Sequence, residues 1–209
     1  MADWYARWGK RVLDVAGAGL GLLLLSPLLG GTALAVLLCL GRPILFRQER
    51  AGHGGVPFTL LKFRSMRDGP GDDAERLTPF GRRLRASALD ELPQLLNVLW
   101  GEMSLVGPRP LPMAYNARYT QRQARRLMAR PGLAGVAQAA GRNALPWTER
   151  LEMDARYAEA IRLRTDLHAI AGTALILLSG RGVSAPGHAT MPRFDPAMDT
   201  ASKESSRIL

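Results

Sequence analysis

Only one cysteine, Cys39, occurs in the 209 residues of this chain. That excludes an intrachain disulfide and a CxxC metal site, and it fits a reducing compartment. Histidine is scarce as well. His53, His168 and His188 lie far apart, which argues against a histidine-rich metal centre. Lysine occurs only at Lys10, Lys62 and Lys203, so arginine carries nearly all the positive charge. Negative charge is in deficit: 18 acids against 28 Lys and Arg give a formal net charge of +10. That balance suits a polyanionic partner, either an anionic membrane face or a phosphorylated substrate. Nucleic acid is not expected, because no recognisable module interleaves basic and aromatic residues. Arginine points toward phosphate, since its fork binds phosphate oxygens in pairs. No internal repeat is present. Hydrophobic residues make up 47% of the chain, enough for a packed core.

The second scarcity is charge along the N-terminal stretch. From Val15 to Gly41 there is none. A bilayer crossing needs about 20 apolar residues, so a membrane segment is expected. The run is too long for a cleaved signal peptide. Ser26-Pro27 lies at its centre, where proline removes a backbone bond and bends a helix. Arg7, Lys10 and Arg11 precede it, and Arg42, Arg47 and Arg50 follow it. A simple span leaves one end poor in positive charge. Two readings stand on these grounds: a kinked transmembrane helix, and a helix that breaks at Ser26-Pro27 and returns to the same face.

Ile44 to Gln48 and Val56 to Phe63 are rich in β-branched and aromatic residues, and "AGHGG" lies between them. This predicts a β-hairpin. No G-K-[ST] follows, so the glycines do not make a phosphate loop. "RDGPGDDAERLTP" reads as a loop. "PFGRRLRASALDELPQLLNVLW" has helical periodicity, broken around Ser87 to Pro93. "GEMSLVGPRPLP" cannot be a regular helix. "YNARYTQRQARRLMARPG" predicts a basic amphipathic helix ended by Pro131-Gly132, suited to lie against anionic headgroups. "LPWTERLEMDARYAEAIRLRTDLHAIAGTALILLS" predicts another helical stretch, whose apolar end suits an interfacial anchor. From Gly180 the composition is that of a loose tail.

Asp90 and Glu91 stand side by side among leucines in "SALDELPQLLN", and adjacent acids inside an apolar run are costly to bury. One reading makes them a helix cap. Either Asp90 is the N-cap, or Ser87 caps with Asp90 at the third position. The other makes them a phosphoryl-transfer site, in which a carboxylate acts as covalent nucleophile or holds Mg²⁺. Arg82, Arg83 and Arg85 before the pair and Arg109 after it would offset phosphoryl charge.

Taken together, "LLLLSPLL", "RQERAG", "KFRSM", "LRASALDELPQLLNVLWGEMSLVGPRP", "RPGLAGVAQAAGRN" and "PWTERLEMDARY" resemble the bacterial sugar transferases, the monotopic polyprenyl-phosphate phosphoglycosyl transferases. The likeness covers about residues 8 to 180 and resembles the small form that is catalytic core only. It implies a mixed α/β, mainly helical fold. An N-terminal re-entrant membrane helix, a β-hairpin and interfacial amphipathic helices would surround a small globular core. The expected division is a membrane helix over 1–43, a cytoplasmic catalytic core over 44–180 and a loose tail over 181–209. Ser26 and Pro27 match the family's helix break. The place implied is the cytoplasmic face of the bacterial inner membrane.

The resemblance also implies the chemistry. A sugar-1-phosphate passes from a nucleoside diphosphate sugar, usually a UDP-sugar, to undecaprenyl phosphate. This is the first membrane step of glycan assembly, with downstream glycosyltransferases as further partners. Asp90 matches the nucleophile and Glu91 its partner acid, with Mg²⁺ at the pair. Lys62, Arg64 and Arg109 match phosphate-holding positions. Arg85, Arg142, Asn143 and Asp154 are expected to support the site. Glu102 replaces the family's usual Asp in a turn. A scaffold without catalysis is the competing reading, and it would tolerate loss of Asp90.

Overall fold

The computed structural model describes residues 4–141, 144–179 and 194–195. The expected tail therefore lies outside the described residues except at Phe194 and Asp195. The N-terminus opens with a π-helical turn, Tyr5–Gly9, that runs into α1 (Lys10–Leu24) and then α2 (Ser26–Leu40). The helix axis bends by 64° between the two arms.

The bend follows from its residues. In an unbroken helix the amide of residue 27 would bond to the carbonyl of Leu23, and proline has no such amide. The Ser26 hydroxyl donates to that carbonyl instead, at 2.8 Å. Leu25 at the corner leaves helical geometry, with φ −91° and ψ 4°. No single helix among the described residues is long and apolar enough to cross a membrane. Leu20, Leu23 and Leu24 of α1 and Leu28, Leu34 and Leu38 of α2 are exposed.

Polar contacts fasten α1 to the rest of the chain. Asp14 accepts from the Ser104 hydroxyl and the Leu105 amide, both at 2.9 Å. Lys10 and Tyr5 both donate to Asp166 at 2.6 Å, and Tyr157 donates to its other oxygen at 2.7 Å. Arg11 donates to the carbonyls of Val98 and Leu99, at 2.7 and 2.9 Å. Lys10 and Arg11, basic flanks of the apolar run, are thus bonded to other parts of the chain.

The predicted hairpin is present. β1 (Leu45–Ala51) and β2 (Pro57–Phe63) pair antiparallel with Leu45 opposite Phe63. A short turn, α3 (Asp73–Arg76), precedes α4 (Pro79–Ala86), and α5 (Gln94–Trp100) follows a 3₁₀ turn over Leu89–Glu91. Ala18 of α1, Phe58 and Leu60 of β2, and Leu95 and Val98 of α5 close one core.

Three-residue strands β3 (Ser104–Val106) and β4 (Gly132–Ala134) pair in parallel. They are too short to show alternation, so the sequence did not announce them. Gly132, expected only to end a helix, has a sharper role. A Cβ there would stand 1.9 Å from the amide nitrogen of Gly107, so two backbones cross where no side chain fits.

The basic segment is not one helix. A 3₁₀ turn over Met113–Arg118, α6 (Gln121–Ala124) and a second 3₁₀ turn over Arg125–Met128 divide it. Thr120 and Gln123 form a capping box that starts α6 afresh. Three of its cations pair with α8 (Trp147–Glu159). Arg122 bonds Glu152 and Glu159, Arg125 bonds Glu159, and Arg126 bonds Asp154. A short α7 (Val136–Ala140) precedes α8, and α9 (Leu163–Ser179) follows it. The expected single helical stretch is therefore broken after Glu159, where Ala160 leaves helical geometry at φ −142°, ψ 67°.

Pro27→Ala should restore the missing amide and open the bend. Spin labels on either side of Leu25 should move apart in pulsed electron resonance. An unchanged separation would show that the bend is held by tertiary contacts instead.

Candidate active site

The acidic pair is presented by an unusual piece of backbone. Ala88 takes a left-handed conformation at φ +56°, and the 3₁₀ turn follows at once. Both capping readings fail here. Asp90 caps no helix, α5 begins after Pro93 without a side-chain cap, and the Ser87 hydroxyl donates backward to the Leu84 carbonyl at 3.0 Å. The two acids instead face a cleft of about 970 Å³ between the hairpin, α4, the turn, the loop after β3, and α8.

Their environments are opposite. Glu91 Oε1 accepts from Lys62 Nζ at 2.8 Å and from Arg109 Nη2 at 2.7 Å. Burial would raise Glu91, but the charges of Arg109 and Lys62 outweigh it and hold the carboxyl well below its usual range. Asp90 is 6% exposed and accepts no hydrogen bond among the described residues. Burial pushes it up to about 6, against the pull of Lys62 and with the push of Glu91. Neighbours in sequence thus differ sharply in proton affinity, a pattern that marks working sites.

Asn97 sets the register. It is fully buried, accepts from the Leu61 amide at 3.1 Å, and donates to the Thr59 carbonyl and to Glu102 at 2.8 and 2.7 Å. That clamps α5 against β2 and holds the acid turn opposite Lys62. Glu102 serves the structural turn that its position suggested.

A profile of the bacterial sugar transferases matches residues 5–180. An uncharacterized sugar transferase of Bacillus subtilis, EpsL, is 43% identical over 199 residues, covering 92% of this chain and 98% of that one. The UDP-glucose:undecaprenyl-phosphate glucose-1-phosphate transferase of Caulobacter vibrioides is 46% identical over 188 residues, 81% of this chain and 70% of that one. The exopolysaccharide production protein ExoY of Rhizobium meliloti is 34% identical over 197 residues, 83% and 87%. The chain belongs to the bacterial sugar transferase family. It is an enzyme of that class.

Within this sugar transferase, Asp154 acts at one remove. It bonds Arg126 through Nη2 and Nε, at 2.8 and 3.1 Å, in a pair that is almost wholly buried. Arg126 Nη2 then donates to the Arg109 carbonyl at 2.6 Å. Asp154 therefore positions the loop that carries Arg109. Arg85 donates through Nε to Ser65 at 2.8 Å, and its charge lowers Asp90.

Arg64 lines the same cleft and has structural partners as well. Its guanidinium bonds Asp68 and the carbonyls of Leu40 and Gly41 at the end of α2. It closes that helix and ties it to β2. Arg142 and Asn143 lie outside the described residues.

The pair suits Mg²⁺ only with help from substrate. Among the described residues no three His, Cys, Asp or Glu side chains converge as a metal site. Among the described residues the Asp90 carboxylate has no hydrogen-bond partner, and Glu91 keeps Oε2 clear of Lys62 and Arg109. Mg²⁺ commonly takes one or two carboxylates and completes its shell with phosphate oxygens and water, and the donor set fits that pattern. Asn97, Arg126 and Arg150 were not singled out, although each falls within a motif quoted above. Their value comes from burial and partners, which a residue type does not show.

The raised Asp90 makes a stability prediction. A carboxyl favoured in its neutral form stabilises the fold fully below about pH 4, and that stability is lost as pH rises through 6. The full difference is up to about 3 kcal/mol. Asp90→Asn should therefore melt above wild type at pH 7, with the gap closing toward pH 4. Equal melting at pH 7 would contradict the desolvated carboxylate.

Proposed function

We propose that this protein transfers a sugar-1-phosphate from a UDP-sugar to undecaprenyl phosphate through a covalent intermediate on Asp90. The observation that carries the proposal is the contrast between Asp90, buried and without a hydrogen-bond partner among the described residues, and Glu91, neutralised by Lys62 and Arg109. The name of the Caulobacter relative gives the reaction type, a glucose-1-phosphate transfer to undecaprenyl phosphate.

An Asp90 that titrates at about 6 is mostly ionised at pH 7, and it is more basic than an ordinary aspartate. Both properties suit a nucleophile. Its oxygen attacks the sugar-bearing phosphorus. The bond from that phosphorus to the nucleotide phosphate breaks, and UMP leaves with the electron pair. An oxygen of the lipid phosphate then attacks the same phosphorus and releases Asp90 as carboxylate. The product is undecaprenyl-diphospho-sugar. Lys62 and Arg109 orient Glu91 and offset charge on the phosphoryl oxygens. When bound, Mg²⁺ at Asp90 and Glu91 supplies further charge neutralisation.

The bent helix pair enters the cytoplasmic leaflet of the inner membrane and returns, which makes the protein monotopic. Its exposed leucines then face lipid, and its fastened N-terminal end stays with the core. That puts the cleft at the membrane surface, where the lipid phosphate lies.

The test is release of UMP from UDP-glucose and other UDP-sugars by purified protein in detergent, with undecaprenyl phosphate and Mg²⁺. Wild type should turn over and EDTA should stop it. Asp90→Asn should fall below about one thousandth of wild type. Comparable turnover by Asp90→Asn would defeat the assignment, and indifference to EDTA would remove the metal.

A further inference from the structure

Two of the cations that line the cleft combine a buried, unpartnered nitrogen with no task in this chemistry. Arg50, on β1, and Arg150, on α8, both line the cleft that holds Asp90. Arg150 is 6% exposed. Its guanidinium makes no ion pair among the described residues, and Nη1 is buried without a hydrogen-bond partner. It lies 4.6 Å from the centre of the Trp147 ring. Arg50 spends Nη2 on Gln48, and its Nε is buried without a partner. Burial, and then the charge of Arg109, lowers both guanidiniums to about 10. Two desolvated guanidiniums that have no ion-pair partner among the described residues are unfavourable until an anion arrives. The guanidinium fork fits phosphate best.

We propose that Arg50, Arg109 and Arg150 form a second phosphate subsite, used in turn by the phosphate of the departing nucleoside monophosphate and by the phosphate of the polyprenyl acceptor. The shared use rests on the covalent reading above and on stereochemistry. Phosphoryl transfer runs in line. In the first step the Asp90–phosphorus bond forms opposite the bond to the nucleotide, which breaks. In the second step the acceptor–phosphorus bond forms opposite the bond to Asp90, which breaks. The departing and entering phosphates therefore occupy the same side of one phosphorus.

The C-terminal segment reaches this subsite. Phe194 is 1% exposed, and its ring lies 5.6 Å from those of both Trp147 and Tyr115. Its amide donates to the Tyr115 hydroxyl at 3.0 Å, and Arg118 donates to its carbonyl at 2.8 Å. At this point the expected loose tail is seated, and it backs the indole that carries Arg150.

The full chain in detergent is titrated calorimetrically with UMP and with inorganic pyrophosphate, wild type beside Arg50→Met, Arg150→Met and Arg150→Lys. The KM for undecaprenyl phosphate is measured on the same proteins. Each Met variant should weaken UMP binding about tenfold or more and raise the acceptor KM by a similar factor. Arg150→Lys should recover part of both. Ligand-free Met variants should melt at or above wild type, because a repelling cation is gone, so weak binding will not reflect a lost fold. A change in UMP binding alone, or in acceptor KM alone, would overturn the shared use and assign the subsite to one ligand. Unchanged values in both Met variants, or no binding of either probe by wild type, would overturn the subsite itself. If wild type binds UMP and the variants bind it weakly, yet no UDP-sugar is turned over, the transfer reading falls and the subsite stands.

Discussion

Glu91 Oε1 is the point where three separated pieces of chain meet. Lys62 arrives from the end of β2, Arg109 from the loop after β3, and Glu91 itself from a 3₁₀ turn entered through a left-handed alanine. Removing one partner from a largely buried set of charges leaves the others uncompensated, at roughly 3–5 kcal/mol. The bonds therefore fix the cleft's shape as well as its charge. They also settle which of two adjacent carboxylates is free. Glu91 has its counter-ions in place, and Asp90 has none within hydrogen-bond reach among the described residues.

The surrounding structure keeps that meeting point in register. Asn97 holds the strand that carries Lys62, and the Arg126–Asp154 pair holds the backbone of Arg109. The bent helix is tied to both sides of the site. Asp14 of α1 bonds Ser104 and Leu105 on β3, two residues upstream of the loop that ends in Arg109. Arg64, two residues past Lys62, closes the end of α2. A change in how the helix pair sits has a short covalent path to each cation on Glu91. The bent helix pair and the cleft that holds the acidic pair are thus joined by the same hydrogen bonds.

Much of this was legible in the sequence because it depends on local chemistry. The hairpin followed from β-branched residues around a glycine turn, and the bend from Ser26-Pro27. The acidic pair stood out as a local cost among leucines. What was not legible depends on partners brought from afar. Three-residue parallel strands have no periodicity to show. The run from Arg118 to Arg130 has the composition of a basic helix, but Arg122, Arg125 and Arg126 answer to acids on α8. Arg64, expected to hold phosphate, lines the cleft and also closes the end of α2. Nothing in the sequence around Arg150 shows that it is buried against Trp147. An arginine's role is set by what faces it.

The central claim is that Asp90 is the reactive carboxylate. The most direct measurement is mass spectrometry of the protein incubated with UDP-glucose and Mg²⁺ but no acceptor, quenched rapidly and digested. The peptide containing Asp90 should gain the mass of one hexose phosphate on Asp90, in step with release of UMP, and should lose it when undecaprenyl phosphate is added. An adduct on another residue, or UMP release that requires the acceptor and leaves no adduct, would contradict the assignment.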